Sequence, residues 1–346
     1  MFGLSAVVAL VGGSIAAPAI APLPQSLFDT GLYAGRSADA VRRTVLPFTP
    51  QYGLWSDAAR KRRWIWLPPG TSIDASRPDA WEFPRGTRLW KEFSVAGRPV
   101  ETRFIERLAN GDWRYAAYVW TADGSDALLA KALRPTLLSV DGAPGGKYQV
   151  PSQADCRACH EGAAVPVLGF SALQLSADRD PNALHVSAPD LAAVDLRALV
   201  ARGWLRGLPQ RLLDEPPRIA ANTPSERAAL GYLHANCGHC HNDADSRAPV
   251  KLLLAQTTAD AHASRERVLG SLLGADARFR KAGQVGSAAL VAPGDAAASV
   301  LLQRMRTRNP LQQMPPIGTR LADSDAIDLI ARWIESQPTS TKEKTP

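Results

Sequence analysis

The sequence predicts an α+β fold in which a β-rich first part is followed by an all-α second part. Between residues 81 and 120, apolar and polar residues alternate and turn residues separate the runs, as in an antiparallel sheet. After residue 222, apolar residues recur instead at helical spacing behind N-capping residues. The chain has 346 residues, more than one hydrophobic core usually accommodates, so we expect two domains.

The predicted sheet contains a β-meander. Residues 87–95 and 100–108 read as strands joined by a turn at Ala96–Pro99, and a third strand at 113–120 follows the hairpin signal Asn110-Gly111. Seven of the nine tryptophans lie between residues 55 and 120, where we expect them to fill the sheet core. The sheet should therefore be rich in buried aromatic side chains.

Two helices are indicated in the second part. The first has Thr223 as its N-cap, Pro224 at its first position and Glu226 as the capping-box partner, and it leads into Cys237. The second begins after Asp323, and its apolar positions are Ile327, Ile330, Ala331, Trp333 and Ile334. Such spacing predicts one buried face on each helix.

The domain organisation follows from these elements. We expect a signal peptide at 1–21, a β-rich domain at 27–205, a linker at 206–222, a helical domain at 223–338 and a tail at 339–346. The first segment is apolar and ends in small-residue cleavage patterns, which favours export, although no Lys or Arg precedes it and an uncleaved anchor is the alternative. No later apolar run approaches the roughly 20 residues of a membrane span.

All four cysteines fall in two C-x-x-C-H motifs. The motif residues are Cys156, Cys159 and His160, and then Cys237, Cys240 and His241. A thioredoxin-like site needs one such pair, and a zinc ribbon needs its pairs roughly 15–20 residues apart. Covalent haem uses both thiols of a pair and the adjacent histidine, and so accounts for every cysteine. We therefore predict two covalently bound c-type haems, with zinc as the weaker alternative.

The histidines of the two motifs, His160 and His241, are the expected proximal iron ligands. For the second haem, Met314 lies in a proline-rich loop before the last helix and is the expected sixth ligand, whereas Met305 lies on a helical stretch and is expected to pack in the core. His/Met ligation raises the reduction potential of a haem. The second haem should therefore be the centre of higher potential.

No methionine lies between residues 2 and 304, so the first haem cannot take one from its own domain. It is bis-histidine, bound by an unusual ligand such as lysine, or open on one face. His185 is the histidine best placed to return to it, but a polar loop residue is the simpler interpretation. His234 is expected near the second haem, and His239 and His262 are expected to face solvent.

The motifs resemble those of c-type cytochromes, and the part around Cys237 and Met314 resembles a class I cytochrome c, which implies an all-α haem domain. The sheet with its following motif resembles the cytochrome P460 and cytochrome c′-β haem domains, although only in patches. That likeness implies an open first haem with Lys91 as a candidate distal residue, an exposed strand lysine being the alternative. Over its length the chain resembles a bacterial family of di-haem c-type cytochromes of the periplasm.

Two function classes remain open at this point. In the first, the protein transfers electrons between redox partner proteins; in the second, the first haem is a peroxidase-like or small-ligand site that the second haem supplies with electrons. The net charge of +7 favours an acidic protein partner over nucleic acid, because haem carboxylates offset part of it. The basic run Arg60–Arg63 is either a solvated strand start or a docking patch.

Overall fold

The computed structural model describes residues 20–131, 133–187, 192–244, 248, 250–279 and 288–339. The described strands are β1 (Leu46–Pro47), β2 (Arg60–Trp66), β3 (Ile73–Asp74), β4 (Arg88–Val95), β5 (Arg98–Arg107), β6 (Trp113–Trp120), β7 (Ala127–Leu129), β8 (Thr136–Ser139), β9 (Lys147–Val150) and β10 (Leu205–Arg206). Six of them form one antiparallel sheet in the order β1-β2-β4-β5-β6-β7. β8 pairs with β9, and β10 pairs in parallel with β3.

The predicted β-meander is confirmed. β4, β5 and β6 occupy the three predicted runs and pair in chain order. At the first turn Ala96 and Gly97 have φ angles of 48° and 81°, and at the second Gly111 has φ of 98°. Glycine adopts this left-handed region at little cost, which is why the chain reverses direction at Gly97 and at Gly111.

The sheet buries both of its faces. One face carries Trp64, Trp90 and Phe104, which pack with the N-terminal segment around Leu27. We call the other face the inner face. Its apolar side chains pack against residues that follow the first motif, and they belong to Ile65, Leu89, Ile105 and Tyr115. Strand alternation thus separates two cores, and the inner face is the one that meets the first motif.

The described helices are α1 (Gln153–His160), α2 (Leu196–Ala201), α3 (Arg211–Asp214), α4 (Pro224–Asn236), α5 (Ala261–Leu272), α6 (Val300–Arg306) and α7 (Ser324–Glu335), with 3-10 turns at Leu27–Thr30 and Pro144–Gly146. Both predicted N-caps are confirmed, because Thr223 accepts the Glu226 N–H at 3.1 Å and Asp323 accepts the Ala326 N–H at 3.2 Å. Glu226 does not close the predicted box; its carboxylate binds Arg265 instead.

The all-α class I cytochrome c domain expected at 223–338 is contradicted by the structure. The chain is β-rich with short helices, and the backbone between α4 and α7 is irregular and includes isolated bridges such as Leu273 with Val291. The core of these helices also includes Tyr52 and Leu173 from the first half. Caps and periodicity locate a helix, but they do not determine how much of the intervening chain is helical.

The segment predicted as a linker, 206–222, contains α3 and buries Leu212 and Ile219. The predicted signal peptide and tail lie almost wholly outside the described residues, so their boundaries and those of the domains stay predictions. In the part of the chain that the structure describes, no helix has the length and apolar character needed to cross a membrane.

Candidate functional site at two adjoining motifs

The first motif lies on α1, directly over the sheet. A capping box starts this helix: the Ser152 hydroxyl accepts the Asp155 N–H at 3.2 Å, and the Asp155 carboxylate accepts the Ser152 N–H at 2.8 Å. The Gln153 amide then donates to the Tyr115 carbonyl of β6 at 2.8 Å. The cap and this bond hold the short helix against the inner face.

His160 ends α1 with one ring nitrogen occupied. Its Nδ1 lies 2.6 Å from the carbonyl oxygen of Pro166, and its ring contacts the Tyr115 ring at 5.2 Å between centroids. Burial lowers the pKa of His160 to about 4, and the nearby cations Lys91 and Arg103 add to this effect. The imidazole is therefore neutral at neutral pH, with Nδ1 directed to a carbonyl and Nε2 left for a ligand.

The second motif follows α4. The His241 N–H donates to the Cys237 carbonyl at 2.9 Å, and the His241 carbonyl accepts from the Leu254 N–H at 2.8 Å. The His241 side chain is buried, and its Nδ1 has no hydrogen-bond partner among the described residues. Burial lowers the pKa of His241, with a smaller contribution from Arg304. The His241 imidazole is therefore also buried and neutral, and one of its ring nitrogens carries a lone pair that a metal could accept.

The two motifs adjoin each other in space. The Asn242 amide donates both to the Gly162 carbonyl at 2.8 Å and to the Gly238 carbonyl at 3.0 Å, which ties the end of the first motif to the second. A Cβ on Gly162 would lie 2.7 Å from the His239 carbonyl oxygen, so only glycine permits this approach. Cysteine pairs separated by 77 residues of sequence, from Cys159 to Cys237, are thereby brought close together.

The four cysteines form no disulfide, and all four have intermediate exposure. Burial raises the pKa of Cys156 and of Cys159 to about 11, and that of Cys237 to about 12. A redox-active C-x-x-C pair instead needs a lowered thiol pKa, so these pairs lack the electrostatics of a thioredoxin-like site.

Met314 is held in its loop by the backbone around α6. Its N–H donates to the Arg304 carbonyl at 3.0 Å, and its carbonyl accepts from the Arg308 guanidinium at 3.1 Å. Arg304 also acts electrostatically on His241, so the Met314 loop and the second motif share a neighbour. Met305, by contrast, is buried in the helical core, as predicted.

The remaining histidines are distributed differently from the prediction. The Nε2 of His185 lies 2.8 Å from the Asp323 carboxylate, so this nitrogen is already engaged at the start of α7. His234 accepts the Gln256 N–H at 3.0 Å. His239 was expected to face solvent, but it is half-buried and its Nδ1 has no partner within the described residues. His262 is exposed, as expected.

Lys91 is not the exposed strand lysine of the alternative interpretation. It is half-buried, and strand alternation places it on the inner face, between Leu89 and Phe93. The basic run of β2 was expected to be either solvated or a docking patch, and only half of it is exposed. Arg60 and Arg62 are exposed, whereas Lys61 and Arg63 are 5% and 7% exposed. A period of two running into the apolar Ile65 was the signal in the sequence that could have revealed this.

A cavity of about 730 Å³ adjoins both motifs. One side is formed by residues that follow the first motif, including Val165 and Phe170, and the other by His234 of α4 and by Gly238 and His239 of the second motif. This volume lies within the range of roughly 300–1,000 Å³ typical of cofactor pockets. The lining combines apolar and polar side chains and includes none of the four cysteines, His160 or His241.

Each motif offers two thiols outside any disulfide and a neutral histidine. One ring nitrogen of His160 lies against a carbonyl oxygen, as in most metal-bound histidines. Within the described ranges, no group of three or more His, Cys, Asp or Glu side chains is arranged to hold a metal ion by itself.

Comparison with known proteins gives no relative. Neither protein-family models, nor curated proteins, nor solved structures gave a match to this chain. The interpretation of the two motifs therefore depends on the residues and contacts described above.

Proposed function

We propose that this chain is a periplasmic di-haem c-type cytochrome that transfers electrons between redox partner proteins. The observation that carries the proposal is the contact between two C-x-x-C-H motifs through Asn242, Gly162 and His239. Haem iron supplies one-electron transfer when it is bound. Two such groups held by adjoining motifs would be close enough to exchange electrons inside one chain.

The residues of the chain would divide this task as follows. The cysteine pairs fix each group covalently, and His160 and His241 hold the iron as neutral imidazoles. The bond of His160 to Pro166 sets the orientation of its ring. Met314 is the proposed second ligand at the second motif, where a thioether favours the reduced state and raises the potential.

The charge of the chain suggests the kind of partner. A net charge of +7 attracts acidic surfaces over the roughly 8–10 Å range that physiological salt permits. Arg60 and Arg62, which are exposed on β2, contribute to the positive electrostatic potential at the surface. We therefore propose an acidic redox protein as donor or acceptor, and faster electron exchange at low ionic strength.

A second function is favoured by one observation at the first motif. The described surroundings of His160 contain Tyr115, Lys91, Arg103 and His239 but no methionine, and His185 is engaged by Asp323. The first haem would then keep an open face for a small ligand, which is the requirement of a peroxidase-like or gas-binding site. The second haem would supply the electrons.

One set of measurements tests the proposal and separates the two functions. The chain is produced with c-haem maturation machinery, and its mass should exceed that of the mature polypeptide by two haems. A mass increase from zinc alone would overturn the haem proposal. Electron paramagnetic resonance and carbon monoxide binding then classify the haems: one high-spin, ligand-accessible centre favours the second function, and two low-spin centres that exclude carbon monoxide favour the carrier.

A further inference from the structure

The inner face of the sheet carries a row of cations in register. Arg63 of β2 lies opposite Lys91 of β4, and Lys91 lies opposite Arg103 of β5. Lys61 precedes Arg63 by two residues and is on the same face. Like charges placed directly opposite on neighbouring strands repel each other, so a row of this kind needs compensation.

Among the described residues of the row, only Arg103 forms an ion pair with a carboxylate, whereas Asp57 and Asp323 act on Lys61 and Glu101 acts on Lys91 electrostatically without a direct bond. The Glu101 carboxylate accepts hydrogen bonds from Nε of Arg103 at 2.9 Å and from Nη2 of Arg103 at 3.0 Å. Glu101 is fully buried. For Lys61, Arg63 and Lys91, the described residues provide no side-chain hydrogen bond and no ion pair. Among the described residues, the ring that the row contacts is that of Phe93, with Lys91 Nζ and Arg103 Cζ at 5.0 and 4.2 Å from its centroid.

These charges are buried too deeply for water to screen them fully. Lys61 and Arg63 are 5% and 7% exposed, and Lys91 is half-buried. Burial and the neighbouring cations hold the pKa of Lys91 well below its usual range, and burial lowers the pKa of Arg63 only to about 10. A lysine can lose its proton under this strain, but Arg63 keeps its charge and five N–H donors at neutral pH. An unmatched guanidinium at such a position is costly.

The row is also next to the two motifs. Lys91 and Arg103 both act electrostatically on His160, and Lys91 acts on His239 of the second motif. Arg103 acts in the same way on Cys156. A ligand seated between the motifs would therefore present its edge to the cations.

We propose that Lys61, Arg63 and Lys91 form an anion-binding site beside the two motifs, and that it takes carboxylate or other oxyanion groups. One source of such groups is the pair of porphyrin carboxylates, and this form of the inference rests on the di-haem function proposed above. The other source is a free small oxyanion that binds at this row of cations. Both kinds of group would accept hydrogen bonds from the N–H groups of Arg63. Such charge-assisted hydrogen bonds are stronger than neutral ones.

The test compares inner-face cations of β2 and β4 with an outer-face cation of β2 in the full chain. Arg63→Gln and Lys91→Gln remove a cation from the row, and Arg60→Gln removes an exposed cation of β2 as the matched control. Resonance Raman spectroscopy follows the bending vibration of the haem carboxylates, whose frequency depends on the hydrogen bonds they accept. Isothermal titration calorimetry with inorganic phosphate follows a free oxyanion.

Porphyrin carboxylates are the occupant if the vibration shifts in Arg63→Gln and Lys91→Gln but not in Arg60→Gln, while phosphate does not bind. A free oxyanion is the occupant if phosphate binds one to one and at least tenfold more weakly to Arg63→Gln than to Arg60→Gln. Should Arg63→Gln not fold, Lys91→Gln supplies both measurements. An unchanged vibration together with no phosphate binding overturns the inference.

The same experiment keeps this inference apart from the proposed function. A chain that contains two haems, with unchanged vibrations and no phosphate binding, retains its function and loses the anion site. A chain without haem that binds phosphate through Arg63 retains the anion site and loses the haem function. The thermal midpoint gives a further check, because removal of an unmatched cation raises it and removal of a matched one lowers it.

Discussion

The two motifs have the same sequence pattern but different surroundings. The first lies on a short capped helix over the inner face of the sheet, where His160 is next to Lys91 and Arg103. The second follows α4 in a layer of packed apolar side chains, and its His241 shares Arg304 with the Met314 loop. The same C-x-x-C-H sequence thus presents two thiols and a histidine in both places, whereas the elements packed around it determine the charge, burial and neighbours of these groups.

The largest expected effect comes from removing one motif at a time. Cys156→Ala with Cys159→Ala should delete one haem and leave the other, and Cys237→Ala with Cys240→Ala should do the reverse. Each double variant should lose one haem mass, measured by mass spectrometry of the intact chain. Loss of both haems from either variant would show that the two attachment sites are not independent.

The next effect separates the two methionines of the second region. Met314→Ala should abolish the near-infrared charge-transfer band of His/Met iron and lower the potential of one haem, because the thioether stabilises the reduced state. Met305→Leu is the control: Met305 is buried in the core, and a volume-conserving change there should cost less than about 1.5 kcal/mol and preserve the band. Loss of the band in Met305→Leu alone would identify the other methionine as the ligand.

How far the sequence predicted these regions depends on the kind of signal. The meander and the N-termini of α4 and α7 were predictable, because turn glycines, caps and periodicity are local properties. The all-α domain was wrong because the segments between helices carry no such signals, and Tyr52 completes that core from far away in sequence. The adjoining motifs and the cation row were also out of reach, since pairing across strands and contacts such as Asn242 with Gly162 depend on tertiary structure.

A smaller effect tests the packing of the second region on the first half. A Cβ on Gly231 of α4 would lie 2.0 Å from a ring carbon of Tyr52, so Gly231→Ala should destabilise the protein by roughly 1–3 kcal/mol. On α5, a Cβ on Gly270 meets no atom within 4 Å, so Gly270→Ala should stabilise it by about 0.5–1 kcal/mol. Chemical denaturation measures both. Equal effects of the two substitutions would contradict the contact with Tyr52.

The smallest effect concerns the link between the two regions. Asn242→Ala removes the hydrogen bonds to Gly162 and Gly238 and should lower the free energy of unfolding by about 1–2 kcal/mol. Because the bond to Gly162 joins the motifs, it should also slow electron exchange between the haems after flash reduction.

Asn236→Ala is the matched control for this link. Asn236 is also buried, and its amide donates to the Gly53 carbonyl at 3.1 Å, so it joins α4 to the first half without contacting the first motif. Its loss should destabilise the protein comparably, as measured by denaturation, and leave the exchange rate unchanged. If both variants slow the exchange equally, general loosening of the fold explains the effect, and the Asn242 bridge has no specific part in coupling the two motifs.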